Sequence, residues 1–415
     1  MKKSILLFLA ASAMIFGGGD IAPVEPAAPA SADFWGQVGF AYQFQDEEYK
    51  NPGDFGDEEN NAFSAAVVLG VEKELGDGFG FGAELAGWSD FGLDIADNPR
   101  VESDGDMTAA EVSQAYMTYT FGKTAIKAGR QALPKAVSPW AWSDRSVGVI
   151  DWSYDGIVVA NTDLRDTTLI GAWIPHAYHN PVEQRRTSGS SGLFMLGAVN
   201  KSLADTTVTL NGYYLPQSEL LTIQGDKIGR TVGREDTWSL WGSGVGTLGT
   251  VTLGVELAYS DGTASGWDST YGVAAKIGSK WGAFDAELIA GYINGGDYSL
   301  AGAGGGTGVE DSAFWTDTYD ISGDTYGADQ WSLQTRMNYR LPASYGALYG
   351  ILGYWDFGHH ADWGDEKKAW NLRAGYRFDV LGVDTKVEYR YRTFSYYHDK
   401  DKTRQRIRVE AYYKF

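Results

Sequence analysis

Segments of about ten residues in which apolar and polar side chains alternate recur from residue 34 to the end of the chain. In the last of them, TRQRIRVEAYYKF, Ile407, Val409 and Tyr413 share one face with the terminal Phe415, while three arginines occupy the other face. Alternation with a period of two indicates a β-strand whose two faces meet different surroundings. The chain is therefore expected to separate an apolar from a polar environment along its whole length.

Eighteen such segments can be counted, and short turns rich in Gly and Asp alternate with longer polar loops between them. The segments lie at 34–45, 63–75, 79–88, 111–121, 124–131, 155–162, 167–174, 193–201, 206–215, 237–247, 250–260, 270–279, 283–293, 330–341, 346–357, 369–378, 383–394 and 403–415. This pattern predicts an all-β fold, a transmembrane antiparallel up-and-down β-barrel of eighteen strands. The boundaries near 132–155 and 237–250 are the least distinct, so sixteen strands is the alternative.

The first residues are typical of a secretory signal peptide, because two lysines precede an apolar run from Ile5 to Phe16. A leader rich in Pro and Ala follows, so residues 1–32 are assigned to signal peptide and leader and 33–415 to the barrel. Cleavage after Ala13, or after a later small residue as far as Ala32, remains open. The sequence has no cysteine, so an exported protein of this kind must be stabilised by packing and closure rather than by disulfides.

The charge is distributed unevenly along the chain. The formal net charge of −20 disfavours nucleic acid as a partner, yet residues 330–415 contain 15 Lys and Arg against 10 Asp and Glu. If the apolar positions of these last strands face lipid, nine arginines face the lumen as a pore-lining basic ladder: Arg336, Arg340, Arg373, Arg377, Arg390, Arg392, Arg404, Arg406 and Arg408. Three interpretations stay open: a track that passes carboxylates between guanidinium groups, an internal ion-pair lattice, and a non-selective basic wall.

The same alternation assigns acidic residues of earlier strands to the lumen. We expect an opposing acidic wall across the pore, formed by Glu84, Glu256, Asp285 and Glu287 together with Glu72 and Glu74. Facing walls of opposite charge would orient zwitterionic or dipolar solutes.

The segment from 127 to 174 contains GRQ followed closely by Pro, and then NTDLRDTTLIGAW. It resembles the OprD-type porins, which are eighteen-stranded channels of the Gram-negative outer membrane for small, often carboxylate-bearing solutes. The resemblance implies that residues 132–150 form a candidate constriction loop carrying Lys135, Asp144 and Arg145, and it allows a homotrimer. Arg130 shares the parity of the apolar Ile126, which also allows a cation at the rim or interface.

The expected function is a passive diffusion channel for small hydrophilic solutes in the outer membrane, in contact with lipid and lipopolysaccharide; a structural or adhesive barrel is the alternative. The five histidines fall in predicted loops, and no Ser, His and acid lie on adjacent strands, so we expect neither an enzyme nor a cofactor or metal site. The acidic loops QDEEYKNPGDFGDEEN and ADNPRVESDGD could hold Ca²⁺ or form a solvated surface that meets lipopolysaccharide through shared cations.

Overall fold

The computed structural model describes residues 32–49, 58–89, 108–134, 153–178, 186–187, 192–224, 227–263, 268–294, 330–342, 345–356, 368–395 and 401–415. The signal peptide and leader, and most of the candidate constriction loop, lie outside these residues.

Within the described ranges the chain forms nineteen strands and no helix. In chain order they are β1 (Asp33–Tyr49), β2 (Glu58–Gly76), β3 (Phe79–Ser89), β4 (Thr108–Phe121), β5 (Thr124–Gln131), β6 (Ser153–Asn161), β7 (Thr167–Tyr178), β8 (Arg186–Thr187), β9 (Leu193–Asn200), β10 (Thr206–Gln224), β11 (Lys227–Leu248), β12 (Val251–Gly262), β13 (Thr270–Trp281), β14 (Phe284–Ile293), β15 (Gln330–Arg340), β16 (Ala347–Asp356), β17 (Lys368–Val380), β18 (Val383–Ser395) and β19 (Asp401–Lys414).

Eighteen of these strands form a closed antiparallel ring. Each pairs with its neighbours in chain order, and β1 pairs with β19 to close the sheet. The two-residue β8 pairs with the end of β7 and lies outside the ring, because β7 continues directly to β9. The prediction of eighteen strands is confirmed, and the alternative of sixteen is wrong.

The two faces of the ring differ in chemistry, as the alternation predicts. On β12, for example, Leu253, Val255 and Leu257 are half-exposed on the outer face, while Glu256 and Ala258 are buried on the inner face. An outer surface of aliphatic and aromatic side chains around a polar interior is the arrangement of a barrel that crosses lipid with its strands. No helix in the described part of the chain is long and apolar enough to cross a membrane.

Connections at one end of the ring are tight turns that need unusual backbone angles. Gly78, in the turn from β2 to β3, has φ of +82°, and a Cβ there would lie 2.1 Å from the carbonyl oxygen of Thr120. Asp77 beside it and Asp205 in a later turn also have positive φ, near +50°, which Asp tolerates better than most residues. Gly78 is therefore required by its backbone conformation and close packing, and Asp suits the positive φ of the neighbouring turn positions.

At the end of the barrel with the long connections, several strands extend further than the alternation of the sequence indicates. The hairpin of β10 and β11 was expected at 206–215 and 237–247, but its backbone pairing continues to Gln224 and Lys227 through three irregularities of register. Apolar alternation marks only the part of a strand that faces lipid, whereas pairing between backbones continues beyond it.

The seam between the first and last strands is closed by the terminal residue. Phe415 and Gly36 exchange two backbone hydrogen bonds of 2.8 and 2.9 Å. The Phe415 ring lies over Gly36, so that a Cβ at this glycine would be 2.4 Å from the ring Cζ. The missing side chain at residue 36 is what lets the terminal aromatic ring lie flat against β1.

We expect Gly36→Ala to destabilise the barrel, because the Phe415 ring must leave its position on the seam. The cost is expected at the lower end of the about 1 to 3 kcal/mol that overpacking a core causes, because the Phe415 ring is 55% exposed and can shift. Unfolding in urea, followed by heat-modifiable mobility in gels, measures the change. Gly244→Ala is the matched control, because no atom lies within 4 Å of a Cβ at that position. Equal midpoints for the two variants would contradict the role assigned to this contact.

Candidate functional site

All the predicted lumen residues that the structure describes lie on the inner faces of their strands. Their immediate chain neighbours, such as Leu372 beside Arg373 and Ile407 beside Arg408, are exposed on the outer face. The set comprises Arg336, Arg340, Arg373, Arg377, Arg390, Arg392, Arg404, Arg406, Arg408, Glu72, Glu74, Glu84, Glu256, Asp285 and Glu287. Lys135, Asp144 and Arg145 of the candidate constriction loop lie outside the described residues.

Strand register brings the arginines of β17, β18 and β19 into rows across the sheet. Arg373, Arg390 and Arg406 are direct cross-strand partners, and Arg392 is the partner of Arg404 in the next row. Neighbouring strands are about 4.8 Å apart, so these cations are crowded. We call the inward basic residues of these three strands the basic wall: Arg373, Arg377, Lys386, Arg390, Arg392, Arg404, Arg406 and Arg408.

The basic wall divides into buried and accessible residues. Arg390, Arg392 and Arg408 are 2 to 3% exposed. Arg404 and Arg406 are half-buried and accordingly retain contact with solvent. Arg404 and Arg406 are therefore the accessible arginines of β19, whereas Arg390, Arg392 and Arg408 are covered and can act only through their charge.

Glu388 lies at the centre of the buried part. Its Oε1 is 3.2 Å from Nη2 of Arg390 and 3.8 Å from Nε of Arg373. Its Oε2 accepts a hydrogen bond of 2.7 Å from the Tyr349 hydroxyl and is 3.5 Å from Nζ of Lys386. One carboxylate, 3% exposed, thus contacts two guanidinium groups, one ammonium and one phenol.

Further acids join the basic wall toward the tight-turn end. Glu410 is 2.5 Å from Nε of Arg408 and 3.8 Å from Nζ of Lys386. Arg377 donates two hydrogen bonds to the carboxylate of Asp384 near the turn between β17 and β18. Opposite charges in these positions offset repulsion that like charges at this spacing would otherwise create.

A glycine allows Tyr349 to reach Glu388, which lies two strands away. Tyr349 on β16 is the cross-strand partner of Gly375 on β17, and Gly375 is the partner of Glu388 on β18. A Cβ at Gly375 would lie 2.2 Å from the Tyr349 ring. The tyrosine therefore crosses the middle strand through the space that the glycine leaves open.

The same arrangement recurs on β2, β3 and β4. The Tyr116 ring lies over Gly82, its cross-strand partner, and its hydroxyl donates a short hydrogen bond to Oε1 of Glu72. The ammonium of Lys127 is 3.6 Å from the centroid of that ring, which is a cation–π contact. A second lumen wall thus combines a tyrosine, a glutamate and a cation through a glycine gap.

Glu84 belongs to a hydrogen-bonded chain that leads to the end of β5. Its carboxylate accepts hydrogen bonds from the Ser113 hydroxyl at 2.6 Å and the Gln114 amide at 2.9 Å. The Gln114 side chain in turn accepts a hydrogen bond of 3.1 Å from the backbone N–H of Ala132. The next residue, Leu133, is 2% exposed and packs inside the barrel. These contacts hold the chain at residues 132 and 133, where it leaves β5.

The acidic residues do not form one wall opposite the arginines. Glu84 lies four strands from β18 in one direction, Asp285 and Glu287 lie four strands away in the other, and Glu256 lies six strands away. Each has a local partner: Asp285 accepts from Asn338 at 3.2 Å, Glu287 is 3.1 Å from Lys276, and Glu256 accepts from Trp241 at 2.7 Å. Alternation identifies the face of a residue, but its place round the barrel follows from strand order.

Apolar residues occupy the inner surface across from the basic wall. In a ring of eighteen, the strand nine positions from β18 is β9. Its inward Leu193 and Met195 are 0 and 2% exposed and belong to a buried cluster, the apolar lumen patch: Leu133, Tyr154, Ile170, Ile174, Leu193, Met195, Tyr213, Leu215, Trp241, Ala258, Ala274 and Ile293. The charged surface of the lumen is therefore one-sided.

Arg130 of the GRQ motif points outward rather than into the lumen. Its cross-strand partners are Ala115 and Asp155, and its Nε is 3.2 Å from Oδ1 of Asp155. It also donates a hydrogen bond of 2.9 Å to the carbonyl of Val112, beside a bulge in β4. This position agrees with the alternative interpretation of Arg130 as a cation at the rim or interface of the barrel.

Sequence reasoning missed Tyr349, Tyr116 and Lys127. The segment ALYGILGYWD of β16 is apolar on both faces, so its alternation does not separate inside from outside. Lys127 could have been assigned to the lumen, since its neighbour Ile126 has the outward parity. Among the described residues there is no group of three or more His, Asp or Glu side chains arranged to hold a metal ion.

Gly375→Ala is expected to displace the Tyr349 ring and break its hydrogen bond to Glu388. The loss is about 1 to 3 kcal/mol, the range for a hydrogen bond to a charged group, and should lower the urea midpoint of the folded barrel. Tyr349→Phe should produce a similar loss, because it removes only the hydroxyl. In the control Gly350→Ala, the nearest atom to the new Cβ is 3.7 Å away. A midpoint for Gly375→Ala equal to that control would count against the glycine-gap interpretation.

The barrel resembles known porin structures over almost its whole length. It matches OpdQ of Pseudomonas aeruginosa with a TM-score of 0.66 at 13% identity, covering 92% of this chain and 99% of that one. It matches a BenF-like porin from Pseudomonas fluorescens Pf-5 with a TM-score of 0.66 at 15% identity, covering 91% of this chain and 98% of that one. It matches OccAB4 of Acinetobacter baumannii with a TM-score of 0.64 at 12% identity, covering 94% of this chain and 100% of that one.

No protein-family model and no curated protein matches the chain. At 12 to 15% identity the structural likeness concerns the fold. The resemblance inferred from the GRQ segment is confirmed at that level: this chain has the eighteen-stranded fold of OprD-type porins.

Proposed function

We propose that the protein is a porin of the Gram-negative outer membrane that lets small hydrophilic solutes diffuse passively and favours those that carry a carboxylate. The fold and the apolar outer surface support a membrane channel. The observation that carries the proposal is the one-sided charge of the lumen, in which the basic wall extends over three adjacent strands. A barrel with only a structural role would fill its interior with packed side chains instead.

The accessible arginines are the proposed contact points for a solute. Arg404 and Arg406 are half-buried, and so is Arg336 on β15, whose Nε donates a hydrogen bond of 2.8 Å to Gln334. Guanidinium groups bind carboxylates through paired hydrogen bonds, and several weak sites in succession allow a solute to leave as readily as it enters. The buried Arg390, Arg392 and Arg408 would contribute to the electric field along the same path.

The proposed constriction involves residues 132–150. Support comes from the root of this segment, where the backbone of Ala132 is bound by Gln114 and Leu133 is buried in the apolar lumen patch. If this segment enters the lumen on the side of the apolar lumen patch, the space left for solutes runs along the basic wall. Lys135, Asp144 and Arg145 remain candidate constriction residues on this proposal.

Electrical recording from single molecules in a planar lipid bilayer tests the central claim. We expect purified protein to insert and to conduct ions in steps, with permeability that responds to added dicarboxylates. Insertion without conductance would instead favour the structural or adhesive alternative. Chemical cross-linking of the purified protein would report on a homotrimer.

We expect the double variant Arg404→Gln, Arg406→Gln to reduce organic-anion flux several-fold while neutral sugar flux stays equal or rises. The physical basis is the loss of charge-assisted hydrogen bonds, which are each worth about 1.5 to 3 kcal/mol when well formed and less in a wet pore. Liposome swelling with succinate and with a sugar of similar size measures both fluxes. The effect should fade as salt concentration rises, because salt screens exposed charges.

The matched control replaces the buried pair, Arg390→Gln with Arg392→Gln, and keeps the same change in net charge. It should lower thermal stability more than the β19 pair, since these side chains are 2 and 3% exposed. If both pairs changed stability and neither changed selectivity, the basic wall would be an ion-pair lattice and the carboxylate preference would be refuted. Equal loss of sugar and anion flux would indicate a collapsed pore.

A further inference from the structure

The contacts of Glu388 are those of a carboxylate-binding site. Both oxygens are engaged: Oε1 by Arg390 and Arg373, and Oε2 by Tyr349 and Lys386. Three cations and a hydroxyl around one carboxylate are the groups that a permeating carboxylate would also seek. The protein thus places one of its own carboxylates among three closely spaced cations of the basic wall.

Strand register and a glycine position the Glu388 carboxylate among these cations. Glu388 sits in a row between Gly375 and Arg408, directly next to the row of Arg373, Arg390 and Arg406. The gap at Gly375 admits the Tyr349 hydroxyl, which fixes the orientation of the carboxylate. Because the carboxylate is attached to the wall, its effective concentration at these cations is far above that of a dissolved anion.

We propose that Glu388 is a specificity-determining residue, a resident anion that neutralises part of the charge of the central guanidinium groups and so keeps the binding of permeating carboxylates weak. This inference rests on the proposed function. A wall with this much positive charge and no carboxylate of its own at its centre would hold anions long enough to slow transport. Conduction requires weak binding at several sites. With Glu388 in place, solute anions are left with the accessible Arg404 and Arg406.

Glu388→Gln tests the inference, since it keeps the shape of the side chain and removes its charge. Single-channel recording with succinate should show residence times roughly three- to tenfold longer than in the unmodified protein, because the cations that Glu388 no longer neutralises increase the attraction of the wall for the solute. The permeability ratio of anions to cations should also rise, and succinate flux should saturate at a lower concentration. Unchanged residence and selectivity in a folded variant would overturn the proposal and leave Glu388 with a structural role only.

Asp205→Asn provides the matched control. It changes the net charge by the same amount in an exposed turn between β9 and β10, and Asn tolerates the φ of +53° found there. We expect succinate residence in this variant to equal that of the unmodified protein. A similar increase in both variants would show that overall charge, rather than the site of Glu388, is responsible, and would overturn the proposal.

Removing the charge of a buried partner can prevent folding, so Glu388→Asp serves as the second variant. It retains the charge but shortens the side chain, which withdraws the carboxylate from at least one of its cations. Succinate residence should then increase by a smaller factor, and no increase would contradict the inference. If the unmodified channel itself shows neither succinate binding nor anion preference, the proposed function fails. If it shows both and the Glu388 variants match it, only the present inference fails.

Discussion

Every structural feature of this protein depends on the requirement that backbone N–H and C=O groups be paired inside lipid. An open sheet would expose unpaired groups along its two edges, at several kcal/mol for each group in hydrocarbon. The chain avoids this cost by pairing β1 with β19 along a register that runs from Gln37 and Lys414 to Tyr49 and Lys402. Once the ring is closed, each strand residue faces either the outside or the lumen. The alternation of apolar and polar residues in the sequence corresponds to these two sides.

Closure also creates an interior wide enough to hold charges, and the register then decides which charges meet. Arginines from β17, β18 and β19 fall into shared rows, and acids lie among them at Glu388 and Glu410 and, across the seam on β1, at Glu47, the cross-strand partner of Arg404. Pairs such as Arg408 with Glu410 offset repulsion within the wall.

Glycine has a second role in this barrel besides forming turns. At Gly36, Gly82 and Gly375 the absent side chain makes room for an aromatic ring from a neighbouring strand. At the last two positions the ring is a tyrosine whose hydroxyl reaches a glutamate two strands away. These gaps connect three strands through one side chain, so that local sheet geometry orients the carboxylates of the lumen.

The sequence by itself determined the fold class, favoured eighteen strands over sixteen, and indicated the inner face for the candidate lumen residues. Alternation suffices for this because side chains on a strand have a period of two and the outside of the barrel must be apolar. It failed on β16, where both faces are apolar, and it could not show that Arg390 is buried while Arg406 remains accessible. Only the tertiary structure decided that Glu388 reaches Tyr349 across Gly375, and that the surface facing the arginines is apolar rather than acidic. Those contacts depend on register and on position round the ring, which join residues far apart in the chain and leave no periodic signal in it.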